Sequence, residues 1–201
     1  MGNPVPKDIG PQWLRQWGIR LRRVDMADLE GTKITDDGLK RLCSLTNLRY
    51  LYLMNTEIGD DGLKYISSLT NLGDVRLDGT RISDDGLKHL AGCSSLKVLL
   101  LNGTRISDDG LTHLCSLTTL KCLCLNDTEI TDDGLEHLSV LKLEHLSLNG
   151  TDVTDDGMKH LSNLTNLQYL SIGGTQVTDD GVKMLQESLP NCDIDWSPTN
   201  E

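Results

Sequence analysis

The chain has 201 residues, with 19 lysines and arginines against 30 aspartates and glutamates, and a formal net charge of −11. This negative excess argues against a surface that binds nucleic acid or an anionic membrane. No apolar run of about 18 residues is present, and Met1 to Arg23 lacks the apolar stretch of an export signal. We therefore expect a cytoplasmic protein.

The first predicted element lies in a segment rich in proline and glycine. From Pro11 the sequence predicts a short amphipathic helix that carries Trp13, Leu14 and Trp17 and ends near Gly18. We expect residues 1–24 to form an N-terminal segment whose helix caps the apolar core of the residues that follow. A binding role for the two tryptophans is the alternative.

An Asp-Asp-Gly triplet then recurs to the end of the chain at intervals of 24, 24, 24, 24, 23 and 24 residues. The triplets end at Gly38, Gly62, Gly86, Gly110, Gly134, Gly157 and Gly181. A period of this length predicts a solenoid whose units bury a shared core, over residues 25–196, with residues 197–201 as a tail. The one short interval falls between Leu141 and Leu143, where we expect a loop shortened by one residue.

Each unit combines a helical pattern with a strand pattern. Leu39, Leu42 and Leu45 recur every three residues and predict a short helix with one buried stripe. Thr35 is the expected N-cap, and the two aspartates after it fall in the first turn, where the helix dipole favours carboxylates. Leu51-Tyr52-Leu53 predicts a strand with both leucines facing inward.

The full pattern, Leu-x-x-Leu-x-Leu-x-x-Thr-x-Ile-Thr-Asp-Asp-Gly-Leu-x-x-Leu, resembles the leucine-rich repeat family. Threonine stands where that family usually has asparagine or cysteine, as in bacterial Thr-Asp-x-Gly-Leu repeats, and the pattern is also similar to the cysteine-containing repeats attached to F-boxes. The resemblance implies an α/β fold of seven to eight repeats: a right-handed horseshoe with a concave parallel β-sheet inside and short helices outside. It also implies protein binding and no single chemistry.

Equivalent residues of neighbouring strands should form columns across the concave face, about 4.8 Å apart. These columns vary from repeat to repeat, whereas the core columns are nearly constant. We expect a partly apolar patch with aromatic and arginine anchors, as at the centre of a protein interface. The candidate partner-binding residues are Tyr50, Tyr52, Met54, Asp74, Arg76, Asp78, Val98, Leu100, Asn102, Cys122, Cys124, His145 and Tyr169.

Two ladders of polar residues carry alternative hypotheses. The Asp-Asp pairs stack carboxylates, which suggests calcium, but each pair is read more simply as capping its own helix, and no calcium-loop pattern is present. His89, His113, His137 and His160 form a second ladder on the flank of the helices. A straight ladder does not bring four ligands to one zinc ion, so we expect no metal and no cofactor.

The six cysteines show no paired terminal clusters, which favours reduced thiols. Cys93 takes the place of a core leucine. Cys122 and Cys124 face the concave side, with His145 one strand away, and this is the one arrangement with a catalytic character. The glycosylation sequons at Asn102, Asn126, Asn149 and Asn163 are weak matches, because three of them arise from the repeat turn itself.

We therefore expect a monomeric, non-enzymatic module that binds a protein partner through the concave face, with no catalytic residues and no affinity for nucleic acid or membrane. Three alternatives stay open. The first is the substrate-recognition part of a ubiquitin ligase complex, the second is a regularised or designed scaffold without a native ligand, and the third is an enzyme that uses Cys122 or Cys124 with His145.

Overall fold

The computed structural model describes residues 25–197, so the predicted N-terminal helix and the residues of the tail after 197 lie outside the described part. The strands are β1 (Met26–Asp28), β2 (Tyr50–Tyr52), β3 (Asp74–Arg76), β4 (Val98–Leu100), β5 (Cys122–Cys124), β6 (His145–Ser147), β7 (Tyr169–Ser171) and β8 (Asp193–Asp195). The α-helices are α1 (Asp36–Leu42), α2 (Asp60–Ile66), α3 (Asp84–Leu87), α4 (Asp108–Leu111), α5 (Asp132–Leu135), α6 (Asp155–Leu161) and α7 (Asp179–Ser188). Three of them, α3, α4 and α5, continue as 3-10 helices over Lys88–Gly92, Thr112–Ser116 and Glu136–Val140.

The eight strands form one parallel sheet in chain order, β1 to β8. Each strand pairs with the next at the equivalent repeat position, so Tyr50 lies beside Asp74 and Cys122 beside His145. The helices lie on one side of this sheet. We call the other side, which corresponds to the expected concave face, the open face. The expected α/β solenoid is thus confirmed.

The core is a single apolar layer between sheet and helices. The middle residue of a typical strand, such as Leu51, is fully buried, as are Leu39 and Leu42 of the first helix, while Leu45 packs partly buried against them. No helix in the part of the chain that the structure describes is long and apolar enough to cross a membrane. At the last repeat, Trp196 packs against the core and donates its indole N–H to the Val177 carbonyl at 3.1 Å.

The short repeat departs from its neighbours only in one connection. Leu117 ends its 3-10 helix with ψ 57°, whereas Leu141 at the equivalent position is extended with ψ 156°. The extended backbone covers the distance with one residue fewer, and Leu141 and Leu143 both stay buried. Because the missing residue is absorbed in this loop, β5 and β6 keep their register.

Each of the strands β1 to β7 is followed by the same turn. Its second residue has a positive φ, supplied by Gly31, Gly79, Gly103, Gly150 and Gly174, and by Asn55 and Asp127 in the other two repeats. This is the left-handed region, which glycine, asparagine and aspartate tolerate best. The threonine that follows is mostly buried and donates its hydroxyl to the carbonyl three residues earlier, as Thr104 does to Leu101 at 2.6 Å. The threonine hydroxyl therefore adds a second hydrogen bond to a carbonyl that also accepts the threonine N–H, as the Leu101 carbonyl does from Thr104 at 3.3 Å.

Candidate functional site

The register places the candidate residues of the first two columns on the open face. Tyr50, Asp74, Val98, Cys122, His145 and Tyr169 form one row, and Tyr52, Arg76, Leu100 and Cys124 form the second. Tyr50 is 36% exposed, and the other apolar members are half-buried. The side chains of neighbouring repeats limit exposure on this face, so what it offers a ligand is a continuous, partly apolar surface.

The centre of this surface holds a closed ionic cluster. Arg76 donates two hydrogen bonds to Asp74, at 3.1 and 3.0 Å, and its guanidinium lies 4.3 Å from the centre of the Tyr52 ring. The Tyr52 hydroxyl donates to Asp74 at 3.3 Å. Burial, followed by the Asp74 charge, raises the pKa of Tyr52, and the hydrogen bonds to Asp74 raise the pKa of Arg76. Asp74 is only 7% exposed, so it acts as an internal partner and is not available to a ligand.

The third column is a hydrogen-bonded ladder. Asp78 accepts the backbone N–H of Asn102 at 3.1 Å, and Asn102 in turn accepts the N–H of Asn126 at 2.8 Å. The ladder continues through Asn149 to the N–H of Gly173. Asn102, which the sequence suggested as a ligand contact, thus uses its side-chain oxygen to join repeats. Asp78, suggested in the same way, uses Oδ1 for this purpose, whereas its Oδ2 is buried and has no hydrogen-bond partner among the described residues. The same engagement occupies three of the four sequon asparagines.

The two open-face cysteines interact with each other. The Cys124 thiol, as hydrogen-bond donor, lowers the pKa of Cys122 to about 7 against an opposing effect of burial. Loss of the donated proton from Cys124 is correspondingly unfavourable, so this hydrogen bond, together with burial, raises the pKa of Cys124. His145 is exposed, and its ring lies 6.4 Å from that of Tyr169. The dominant neighbour of Cys122 is therefore the second thiol and not the histidine.

Tyr169 closes the far end of the open face. Its hydroxyl donates to Asp195 of the last strand at 3.1 Å, and this hydrogen bond raises the pKa of Tyr169. Ser171 donates to Asn149 at 2.8 Å. This end of the surface is polar and internally paired, in contrast to the apolar stretch from Tyr50 to Cys124.

On the helix side, the Asp-Asp pairs do not act as the sequence suggested. The first aspartate of a pair binds the N-cap residue of the next repeat: Asp108 accepts the Thr131 N–H at 2.9 Å and the Thr131 hydroxyl at 2.6 Å. We call this contact the aspartate staple. It recurs from Asp60 to Ser83, Asp84 to Ser107, Asp132 to Thr154 and Asp155 to Thr178.

The staple corrects the expectation that each pair caps its own helix. Thr35 occupies the N-cap position but makes no side-chain capping bond, and Thr154 alone among the helix N-caps of the described residues accepts such a bond. In five repeats the N-cap hydroxyl donates to an aspartate of the previous repeat. The second aspartate stays exposed, and in three repeats it pairs with a lysine three residues on, as in Asp85 and Lys88 at 2.6 Å.

The histidine ladder lies on the helix flank. His89 is half-buried and its Nε2 has no hydrogen-bond partner. Burial, and then the charges of Lys88 and Lys64, lower the pKa of His89. Within residues 25–197 no group of three or more histidine, cysteine, aspartate or glutamate side chains is placed to hold a metal ion.

Sequence reasoning missed the column that immediately precedes the strands. It reads Asp25, Arg49, Gly73, Lys97, Lys121, Glu144, Gln168 and Cys192. Gly73 interrupts a row of long polar side chains, and this interruption is the sequence feature from which the site could have been predicted. The structure shows a cavity of about 600 Å³ at this point, with Gly73 in its lining.

The comparisons agree with this geometry. The model of the family described as Leucine Rich repeat matches residues 44–67, 92–115, 116–139, 141–162 and 163–185. An internalin C2 from Listeria monocytogenes has a TM-score of 0.67 and 23% identity, over 86% of this chain and 80% of that chain. An internalin from the same organism has a TM-score of 0.47 and 21% identity, over 81% of this chain and 58% of that chain.

A search of the curated proteins finds no match to this sequence. The internalin C2 likeness concerns the fold alone, since the two sequences are 23% identical. The matched family segments cover more than half of the sequence and coincide with the repeats seen in the sheet. The chain therefore belongs to the leucine-rich repeat family, whose members are protein-interaction repeat modules.

Proposed function

We propose that the chain is a non-enzymatic module that binds a protein partner through the open face of its sheet, over the stretch from Tyr50 to Cys124. The observation that carries this proposal is the contrast between columns. The inward column is invariably apolar, whereas over β2 to β5 the two open-face rows differ at every repeat although the backbone is the same. The fold does not dictate those identities, so they are free to serve recognition.

The composition of the stretch supports a protein ligand. Tyr50, Val98 and Leu100 supply partly exposed apolar surface, and Arg76 is held rigid over the Tyr52 ring. Aromatic and arginine side chains dominate the binding energy of protein interfaces, and a preorganised side chain loses less entropy on binding. The net charge of −11 favours a partner that is not itself strongly acidic overall.

The remaining expectations stand as parts of the same proposal: a cytoplasmic monomer that binds neither nucleic acid nor membrane. Six cysteines without a disulfide support a reducing compartment. The ubiquitin-ligase and inert-scaffold hypotheses predict different outcomes of the test below, since the first requires a ligase adaptor in the complex and the second requires no partner.

The test compares captures from a lysate of the source cell. The intact chain is the bait beside a variant that carries Tyr50→Ser and Leu100→Ser. Val140→Ser is the matched control, because Val140 is an apolar side chain 58% exposed on the helix side. Arg76 is left intact, since its removal would strand the Asp74 carboxylate. We expect a protein retained by the intact chain and by Val140→Ser but lost from the open-face variant. Equal capture by all three baits would contradict the proposal.

A further inference from the structure

We propose that the cavity at Gly73 binds an oxyanion carried by a protein partner, either the carboxylate of an acidic side chain or the phosphate of a phosphorylated one. We call this cavity the glycine notch. Its volume is about 600 Å³, and its lining includes Arg49, Gly73, Ser95, Lys97 and Thr119. The inference rests on the proposed function, because the notch opens beside Tyr50 and Val98 of the open face.

The notch exists because one repeat lacks a side chain. At the equivalent position the neighbouring repeats carry Arg49 and Lys97. A Cβ atom on Gly73 would meet only the carbonyl oxygens of Arg49 and Ser95, each at 3.8 Å, which is ordinary van der Waals contact. The backbone therefore accepts a larger residue there. Neither a left-handed φ nor a steric conflict requires the glycine, so its effect is to leave space.

The two cations that flank this space have no carboxylate partner. Arg49 and Lys97 are exposed, and neither forms an ion pair with another residue in the described part of the chain. Further along the same column, Lys121 pairs with Glu144 at 2.8 Å, which shows what happens when an acid is available. Arg49 and Lys97 stand two strands apart, about 10 Å between their backbones. Their long side chains can both reach a ligand placed over Gly73.

Charge at the notch is positive although the chain as a whole is acidic. The single carboxylate in its lining, Asp74, is already held by the two hydrogen bonds from Arg76 and by the Tyr52 hydroxyl. Its charge is thus neutralised from the open-face side. Two unpaired cations beside a neutralised acid form a local site for an anion, and charge-assisted hydrogen bonds to such groups are the stronger ones.

The notch also offers neutral hydrogen-bond donors. The Thr119 hydroxyl is directed to the Ser94 and Leu96 carbonyls at 2.9 and 2.8 Å, and the Asn71 amide to the Thr46 carbonyl at 2.9 Å. Those bonds fix the positions of Thr119 and Asn71 in the lining of the notch. The hydroxyl groups of Ser94 and Ser95 make no hydrogen bond to another described side chain or carbonyl, so they are available to an oxyanion. Tyr50, beside the notch, would contact the apolar part of the same partner segment.

The test uses three acetylated and amidated tripeptides, Ala-Glu-Ala, Ala-phosphoserine-Ala and Ala-Gln-Ala, titrated into the intact chain while backbone amide shifts are followed by NMR. We expect saturable shifts centred on Gly73, Ser94 and Ser95 for at least one of the two charged peptides and none for the glutamine peptide. The glutamate and phosphoserine arms show which oxyanion is preferred.

Two variants and one control separate the effect of charge on binding from the effect of space. Arg49→Gln with Lys97→Gln should weaken binding of the charged peptide about tenfold. Arg81→Gln with Arg105→Gln, which makes the same change in net charge at the helix edge, should leave the affinity unchanged. Gly73→Gln should abolish the shifts with both cations present, because it fills the notch.

Equal amide shifts with the glutamine peptide would contradict the proposal that the notch binds an oxyanion. Unchanged affinity of the variant Arg49→Gln with Lys97→Gln for the charged peptide would contradict it as well. The tripeptide readout needs no partner, so it stays decisive even if the capture experiment returns nothing. Conversely, if a captured partner is retained equally by the variants at Arg49, Lys97 and Gly73, the open-face proposal still holds but the oxyanion site at the notch is refuted.

Discussion

Asp60 of one repeat accepts both the backbone N–H and the hydroxyl of Ser83 in the next, at 2.8 and 2.7 Å. The contact joins two helix N-termini that lie 23 residues apart in sequence. It explains why an aspartate opens each α-helix from α1 to α6: the carboxylate accepts an N–H at the start of the next helix, where donors otherwise lack partners. The repeat signature is therefore an inter-repeat contact and not only a local cap.

Removing one staple should destabilise the solenoid. Asp108→Ala deletes the acceptor of the Thr131 N–H and hydroxyl, and we expect it to lower the free energy of unfolding by about 2 kcal/mol. Asp109→Ala is the matched control, because Asp109 is the exposed second member of the same pair. It should lower stability by roughly 0.5 kcal/mol through the helix dipole. Urea unfolding followed by circular dichroism measures both; equal losses would show that the staple adds nothing.

One repeat has an incomplete staple that can be completed. Asp36 accepts the Gly59 N–H at 3.0 Å, but glycine has no hydroxyl to donate to the second carboxylate oxygen. A Cβ on Gly59 would lie 3.7 Å from Asp36 Oδ2, and the φ of −121° suits any residue. Gly59→Ser should therefore raise the free energy of unfolding by about 1 kcal/mol and the melting temperature by roughly 2–4 °C.

The control for this gain is Gly73→Ser. It restricts the unfolded chain in the same way but has no carboxylate at the equivalent distance, since only carbonyl oxygens lie near its Cβ. A melting temperature raised equally by both variants would assign the effect to the unfolded state and not to the staple.

From the second triplet onward, the glycine is required by the aspartate of the preceding repeat, whose Oδ1 would lie too close to a Cβ atom. A Cβ on Gly86 would lie 2.5 Å from Asp60 Oδ1 and 3.1 Å from Ile82 Cγ2. We expect Gly86→Ala to lower the free energy of unfolding by about 2 kcal/mol, although alanine is the better helix former. In a double-mutant cycle, Asp60→Ala should relieve part of this loss, giving a non-zero coupling. Strict additivity of the two losses would contradict the steric explanation.

The thiols of Cys122 and Cys93 should differ in how their alkylation rates depend on pH. Cys122, with its pKa lowered to about 7 by the Cys124 donor, should be alkylated by iodoacetamide at a rate that rises with pH and levels off above neutrality. Cys93, whose pKa burial raises to about 11, should stay unmodified. Peptide mass spectrometry after timed labelling measures both sites.

Cys124→Ala provides the control for this assignment. It removes the donor, so the midpoint for Cys122 should move to more alkaline pH. If His145→Ala moved the midpoint and Cys124→Ala did not, the cysteine-histidine hypothesis would regain support.

Much of this architecture could be predicted from the repeat period. Columns such as Leu39 and Leu63 recur because every unit must bury the same face, and a fixed period makes the register of β1 to β8 unavoidable. The same arithmetic placed Tyr50, Leu100 and Cys122 on one face. The shortened loop at Leu141 was visible as one missing residue, and the structure shows it absorbed without a change in register.

What the repeat pattern left undecided are the contacts between side chains of different units. The partner of each aspartate, the closed pairing of Arg76 with Asp74 and the space above Gly73 all depend on stacking distances of a few ångströms. A repeat sequence specifies which residues share a column. Only the tertiary structure decides whether two polar groups in adjacent columns bond to each other or stay free for a ligand. The reason is that a hydrogen bond requires a donor–acceptor distance within a few tenths of an ångström, whereas a column position fixes a residue only to within the spacing between strands.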